Sequence, residues 1–280
     1  MTSLRDLARK VPFARKAVQD MKWRKLRDSF DAEGIKLGNS PRVEEFVRTR
    51  FGISEPEYIH PLQQPKGFIR ELESHPWWDR SRFEWVPRLE AATPDILQEA
   101  LALRGNAQFR PQHDGITENG NWNVFYLYNY GDRIAENCQR CPITTRIVES
   151  IPRALEAGRI YFSVMTEGTI VKAHFGPVNT RIRCHLGLKV PEDCAIRVAG
   201  EARRWEEGQC LVFDDSYEHD VWNRGPGSRL VLILDVWHPD LRQDEIDAMR
   251  LLANRLDDIS RLTQAIHTGE GALDNNDWWS

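Results

Sequence analysis

Hydrophobic and polar positions change texture twice along this chain. Up to about residue 110 the apolar residues recur at helical spacing, with Pro and Gly interruptions. In GNSPRVEEFVRTRFG, Asn39 or Ser40 stands as an N-cap and Pro41 at the first helical position, where its missing N–H would have had no partner anyway. AATPDILQEALALRG predicts a second start, with Thr93 as cap, Pro94 and Asp95 in the first turn and Gly105 after the end. From about 120 to 240 the runs become short, β-branched and aromatic: WNVFYLYNY, RIYFSVM, TIVKAHF, TRIRCHLGLKV, CAIRVAG, QCLVFDD, DVWN and SRLVLILDVW. Eight such runs, punctuated by Gly, Pro, Asp and Asn, predict a mainly β, predominantly antiparallel sandwich or barrel with flanking helices. In QDEIDAMRLLANRLDDISRLTQAIHTG, Ile246, Met249, Leu252, Leu256, Ile259 and Leu262 fall at steps of three and four, which predicts one amphipathic helix ending near Gly269. The expected division is a helical region 1–110 packing on a β core 111–241, a helix 242–269 and a tail 270–280.

Composition narrows the class. The 280 residues are 41% hydrophobic and 29% charged, enough for a full core in one large domain. No apolar run approaches the roughly 20 residues that span a bilayer. MTSLRDLARKVPFARKAV lacks the apolar stretch and small-residue cleavage site of a secretory leader, so the expected location is cytoplasmic. The cysteines at 138, 141, 184, 194 and 210 are read as reduced thiols, Cys138 and Cys141 included, because a lone CxxC is weak evidence for zinc. A net charge of -4 argues against general nucleic-acid binding. Residues 1–30 are the local exception, with nine Lys/Arg against three Asp. Phe13, Ala17, Val18, Met21 and Leu26 give that segment an apolar stripe to pack on the domain, and its basic face offers peripheral contact with an anionic membrane or an acidic carrier.

The candidate chemistry lies in the β section. Side chains along a strand alternate faces. In TRIRCHLGL, Arg181, Arg183 and His185 therefore share one face and Ile182, Cys184 and Leu186 the other, so an apolar face packs while a cationic face lines a cavity for an anion. In SRLVLILDVW, Arg229 begins a face otherwise occupied by Val231, Ile233 and Asp235, a single clamp suited to a carboxylate at the end of a desolvated pocket. His174 closes one strand before the turn-forming GP, and His219 lies in DDSYEHDVW, where Asp215, Ser216 and Glu218 are its expected supporting partners. Two neutral imidazoles suit Fe(II). The carboxylate that would complete a facial triad is missing, because Gly176 stands where Asp or Glu belongs. His60, His75, His113, His238 and His267 lack such company and are read as structural or surface residues. A zinc hydrolase would want a third ligand and a general base and would leave the anion clamp unexplained.

HFGPVNTRIRCHLGL, WEEGQCLVFDDSYEHDVWN and SRLVLILDVWHPDL together resemble the aspartyl/asparaginyl β-hydroxylase domain family of Fe(II)/2-oxoglutarate dioxygenases, over about Asn121 to Leu241. The resemblance implies a double-stranded β-helix, a cupin-like jelly roll, whose iron is held by His174 and His219 alone, the glycine being natural to the family. It implies that Arg229 and Ser163 bind the distal carboxylate of 2-oxoglutarate, that Arg183 and His185 hold the carboxylate next to the keto group, and that Trp122 and Arg181 stand at the substrate side or pocket mouth. Dioxygen is the further co-substrate and succinate a product. The expected reaction is hydroxylation of an unactivated carbon, foremost the β-carbon of an Asp/Asn-type residue or of a free or carrier-bound amino acid. A lipid acyl chain, halogenation at the Gly176 position and a non-catalytic 2-oxoglutarate-binding module are the alternatives.

Overall fold

The structure is a computed structural model that describes residues 12–32, 34, 37, 40–103, 109–112, 115–250 and 252. The chain divides into two compact units, one comprising His60–Pro65 and Leu72–Asp240, the other the segments up to Ile59, Lys66–Glu71 and from Leu241 onward. The helices Val86–Ala91 and Thr93–Ala102, which precede the expected boundary near 110, share a hydrophobic core with the sheet.

The larger unit carries the strands β1 (Trp77–Trp78), β2 (Arg110–Pro111), β3 (Thr117–Glu118), β4 (Trp122–Asn129), β5 (Asp132–Arg133), β6 (Arg159–Met165), β7 (Thr169–His174), β8 (Arg181–Lys189), β9 (Cys194–Val198), β10 (Glu201–Arg204), β11 (Cys210–Phe213), β12 (His219–Asn223) and β13 (Arg229–Trp237). All eight apolar runs read from the sequence are strands. They form two antiparallel sheets, ordered β1-β11-β8-β13-β6-β4-β2, with β5 on β4, and β10-β9-β12-β7-β3. This is a double-stranded β-helix with flanking helices.

Strand parity divides its core in two. Ile160, Phe162, Ile182, Cys184, Leu186, Leu232 and Leu234 leave the larger sheet on one side and pack with Leu89, Ile96, Ala100, Cys138 and Val148 of the helices Val86–Ala91, Thr93–Ala102, Ala135–Arg140 and Pro142–Glu149. Tyr161, Met165, Val231 and Ile233, of opposite parity, pack with Val171, Ile196, Val198 and Val221 of the smaller sheet. The same parity sends Ser163, Arg183, His185 and Arg229 between the sheets. Thr93 does not cap its helix. The chain is already helical at Ala92 (φ -83, ψ 0), and the Thr93 hydroxyl donates to the Glu90 carbonyl at 2.6 Å. Glu99 in turn caps the neighbouring helix, accepting from the Ile143 and Thr144 amides at 2.8 Å each. The five cysteines are free and buried.

In the other unit, Ser40 caps the helix Pro41–Arg50 by accepting from the Val43 amide, with Pro41 opening the first turn. The helix Pro12–Ala32 buries Trp23, Leu26 and Phe30, three and four residues apart, and the Arg48 guanidinium lies 3.9 Å over the Trp23 ring. Of the expected stripe, Leu26 is therefore buried, whereas Ala17, Val18 and Met21 are exposed because they fall off the Trp23/Leu26/Phe30 line. The Phe13 side chain and residues 1–11 lie outside the described residues. The C-terminal helix is present over 243–250 and at 252, burying Ile246, Met249 and Leu252, and the rest of the expected 242–269 span lies outside the described residues. Among the described residues no helix is long and apolar enough to cross a membrane.

Candidate functional site

His174 ends β7 and His219 begins β12, and the two are Cα partners in the ladder. Their ring centroids are 4.1 Å apart. Each Nδ1 lies against a backbone carbonyl two residues upstream, 2.7 Å from Lys172 O and 2.9 Å from Tyr217 O. A carbonyl can only accept, so each Nδ1 carries the proton, and Nε2 is the atom left to present a lone pair in the neutral ring. His219 is buried, and burial together with neighbouring His174 holds its pKa well below the ordinary imidazole value. Two imidazoles at adjacent strand ends, each free to offer Nε2, are a donor set that fits Fe(II) with open positions. Among the described residues no group of three or more His, Cys, Asp or Glu gathers as a metal site.

Gly176 has a packing reason. Its amide donates to Asp215 O at 2.7 Å, and a Cβ there would lie 2.7 Å from both that oxygen and Asp215 Cγ. The place a third ligand would grow from is filled by Asp215. The Asp215 carboxylate accepts from Arg183 at 2.9 Å and Arg181 at 3.3 Å, so it does not orient His219. Neither do Ser216, which accepts from Gln63, nor Glu218, whose amide donates to Leu62 O; the Tyr217 carbonyl does the work expected of these side chains.

The anion end is built from β4, β6, β8 and β13. Arg229, 2% exposed, makes no ion pair among the described residues, and its Nη2 donates to Ser163 Oγ at 2.6 Å. Trp122 Nε1 donates to the same oxygen at 2.9 Å. With both lone pairs taken, the Ser163 proton is left to be donated onward. Burial pushes the Arg229 guanidinium down to about 10. Among the described residues, His185, also buried, has no hydrogen-bond partner on either ring nitrogen, and Arg229 Nε has none. The His185 ring stacks on Trp205 at 13° and meets Phe213 edge-on at 82°. Burial, then Arg183 and Arg229, keep it neutral. A lone buried cation beside unsatisfied polar atoms fits a carboxylate-bearing ligand, since neither would otherwise be stable in a dry cavity.

Trp122, Ser163, His174, Arg183, His185, His219 and Arg229 all line this one cavity, with Tyr161, Phe213 and aliphatic residues between them. Arg181 does not. It is 1% exposed and pairs with Asp215 at 3.3 Å and Asp235 at 3.7 Å. Arg183 binds Asp235 through Nε at 2.8 Å and Nη2 at 3.2 Å. Burial alone would raise the Asp235 pKa, but Arg183 and Arg181 outweigh it and hold the carboxyl far below the usual range. Two arginines and two aspartates thus neutralise one another, and the expected cationic mouth at Arg181 is a buried ion-pair quartet instead.

One supporting group escaped the sequence reading. Gln63, wholly buried, donates through Nε2 to Asp214 Oδ2 at 3.1 Å and to Ser216 Oγ at 2.9 Å, while its Oε1 accepts from Ser74 at 3.1 Å. It also forms a bridge with Tyr217. Residues 62–63 therefore clasp the loop whose Tyr217 carbonyl orients His219. No local pattern marks a glutamine 151 positions from its acceptor.

A double-stranded β-helix with two histidines converging on a cavity that also holds a buried, unpaired arginine defines the Fe(II)/2-oxoglutarate-dependent oxygenase class. Residues 90–239 match the family profile of the aspartyl/asparaginyl β-hydroxylases, and the chain belongs to that family of Fe(II)/2-oxoglutarate-dependent hydroxylases. It is 40% identical over 181 residues to the human aspartyl/asparaginyl β-hydroxylase, covering 62% of this chain and 24% of that protein. Aspartate β-hydroxylase domain-containing protein 2 of Xenopus tropicalis is 41% identical over 73% of this chain and 56% of its own length. The ornithine lipid ester-linked acyl 2-hydroxylase of Rhizobium tropici is 34% identical over 72% of this chain and 73% of its own. The chain thus spans about a quarter of the human relative's length.

Proposed function

We propose that this protein hydroxylates an unactivated carbon of an Asp/Asn-type residue or of a free or carrier-bound amino acid, with conversion of 2-oxoglutarate to succinate. The observation that carries the reading is the pairing of two imidazoles, their Nδ1 protons committed to carbonyls, with a buried guanidinium that has no carboxylate partner among the described residues. Bound iron would supply the activation of dioxygen coupled to oxidative decarboxylation of 2-oxoglutarate. Nε2 of His174 and of His219 would hold it. Arg229 and the Ser163 hydroxyl would receive the distal carboxylate, with Trp122 fixing the hydroxyl oxygen. His185 and the uncommitted N–H groups of Arg183 would receive the other carboxylate. Phe213, Val171, Ile196 and Ile233 exclude water around the reacting carbon. The space beside Gly176 is taken by the Asp215 side chain, which supports hydroxylation over halogenation.

The test is anaerobic reconstitution with Fe(II) and 2-oxoglutarate, followed by oxygen and a succinate assay against Asp, Asn, carrier-bound amino acids and acyl lipids, the last because of the Rhizobium relative. A metal-to-ligand charge-transfer band with substrate-stimulated succinate is the expected result, lost in His174→Ala and His219→Ala variants that still fold. Absence of the band together with absence of iron and 2-oxoglutarate binding by calorimetry overturns the proposal.

A further inference from the structure

Beyond the ion-pair quartet and Arg229, the inner face of the larger sheet carries Arg159. Arg159 shares a face of β6 with Tyr161 and Ser163, both of which line the catalytic cavity, and stands at the opposite end of that strand from Met165, the ladder partner of Arg229. Its side chain is half-buried and makes no ion pair among the described residues. Its Nε is buried without an acceptor among the described residues. The guanidinium lies 5.0 Å from the Tyr130 ring centroid and 5.8 Å from that of Tyr126. Tyr126 in turn touches Tyr161, their centroids 5.0 Å apart, so the cage is continuous with the cavity wall.

The cage is deliberately placed. Tyr130 sits at φ 49 in the turn between β4 and β5, followed by Gly131 at φ 91. That turn shape favours Asn or Gly, and a bulky residue there is strained. The strain is held by the Tyr130 amide, which donates to Gly158 O at 2.8 Å, directly before Arg159. Arg159 itself is anchored through its backbone amide, which donates to Asp235 Oδ2 at 3.1 Å. A guanidinium resting on aromatic faces keeps its planar fork of N–H groups available at the edge, the geometry that takes a carboxylate or phosphate.

We propose that Arg159, with Tyr126 and Tyr130, forms a substrate subsite beside the Tyr161 wall of the catalytic cavity that binds an anionic group, a carboxylate or a phosphate, of the molecule to be hydroxylated. This rests on the hydroxylase reading above and moves the substrate-facing cation from Arg181, which is neutralised, to Arg159.

The experiment measures dissociation constants of three small probes on protein loaded with Mn(II) and 2-oxoglutarate: N-acetyl-aspartate amide, N-acetyl-asparagine amide and N-acetyl-phosphoserine amide. The wild-type chain is expected to prefer a charged probe to the neutral one by about tenfold or more, as a charge-assisted contact gives. Preference for the aspartate probe assigns a carboxylate, and preference for the phosphoserine probe a phosphate. Arg159→Gln should abolish the discrimination, Arg159→Lys should keep part of it, and neither should change 2-oxoglutarate affinity, because the backbone contact to Asp235 survives both. Tyr130→Asn, which suits the left-handed turn, should weaken the charged probes while preserving the fold. Equal binding of all three probes by the wild type, or discrimination retained by Arg159→Gln, overturns the subsite. Discrimination that persists in a protein unable to bind 2-oxoglutarate would keep the subsite and discard the hydroxylase reading.

Discussion

Installing the missing carboxylate at Gly176 should damage the protein rather than complete a three-residue metal site. A Cβ there would sit 2.7 Å from Asp215 Cγ and 2.7 Å from Asp215 O, whereas carbon atoms in contact prefer about 3.5–4.0 Å. Relief requires the Gly176 turn and the Asp215 loop to part by about 1 Å, at the expense of the hydrogen bond from the Gly176 amide to Asp215 O. Gly176→Ala isolates this term, and overpacking of one methyl group costs about 1–3 kcal/mol. At about 2–4 °C per kcal/mol for a domain of this size, its Tm should fall by about 2–12 °C. Gly176→Asp adds a second carboxylate beside Asp215. That carboxylate must be buried against an Asp215 whose charge Arg183 and Arg181 already match, so the variant should lose more stability than Gly176→Ala. The assay is thermal unfolding of both variants without metal, with Mn(II) titration of whatever folds. A Gly176→Asp protein that melts within about 1 °C of wild type and binds Mn(II) more tightly would refute the reasoning.

Arg229→Gln should weaken 2-oxoglutarate binding at least about a hundredfold, since a buried cation loses its anion. It should also stabilise the ligand-free protein: with the guanidinium depressed from 12.5 to about 10, that charge costs the fold on the order of 3 kcal/mol at neutral pH, and calorimetry reading no gain in Tm would count against it. Gln63→Leu should cost about 2–4 kcal/mol by stranding Asp214 and Ser216, and should lower metal affinity by loosening the loop that orients His219; unchanged Mn(II) affinity would separate the clasp from the site. Asp214 titrates near 7 in the folded chain because burial raises it from 3.8. The folded state therefore holds a proton that the unfolded chain releases, and the stability present at pH 4 is lost as pH rises to about 7. Asp214→Asn should gain on wild type by up to about 4 kcal/mol across that window and run parallel above it, as denaturant unfolding at several pH values will read.

Period-two patterning made the eight principal strands legible, and parity within TRIRCHLGL and SRLVLILDVW separated the helix-facing side from the inter-sheet side. The same parity brought Ser163, Arg183, His185 and Arg229 to one cavity with both histidines. Local chemistry was misread where its outcome depended on the neighbouring element. Thr93 has cap chemistry, but the preceding helix already turns the chain at Ala92. Asp215 and Glu218 flank His219 in sequence, yet a carbonyl orients the ring, because the chain turns at 215–216 and Asp215 is drawn to Arg181 and Arg183.

What the sequence by itself determined follows from local periodicity and residue type: the β core, the two imidazoles, and which arginines face inward. Tertiary structure alone decided which of those arginines carries a usable charge. Arg181 and Arg183 meet Asp215 and Asp235 across 34 and 52 residues, and their charges cancel. Arg229 meets a serine, and Arg159, which the sequence reading did not single out, meets two tyrosines, so their charges remain. Coulomb energy depends on the distance in space between partners and on their burial, and neither quantity is written in the spacing along the chain.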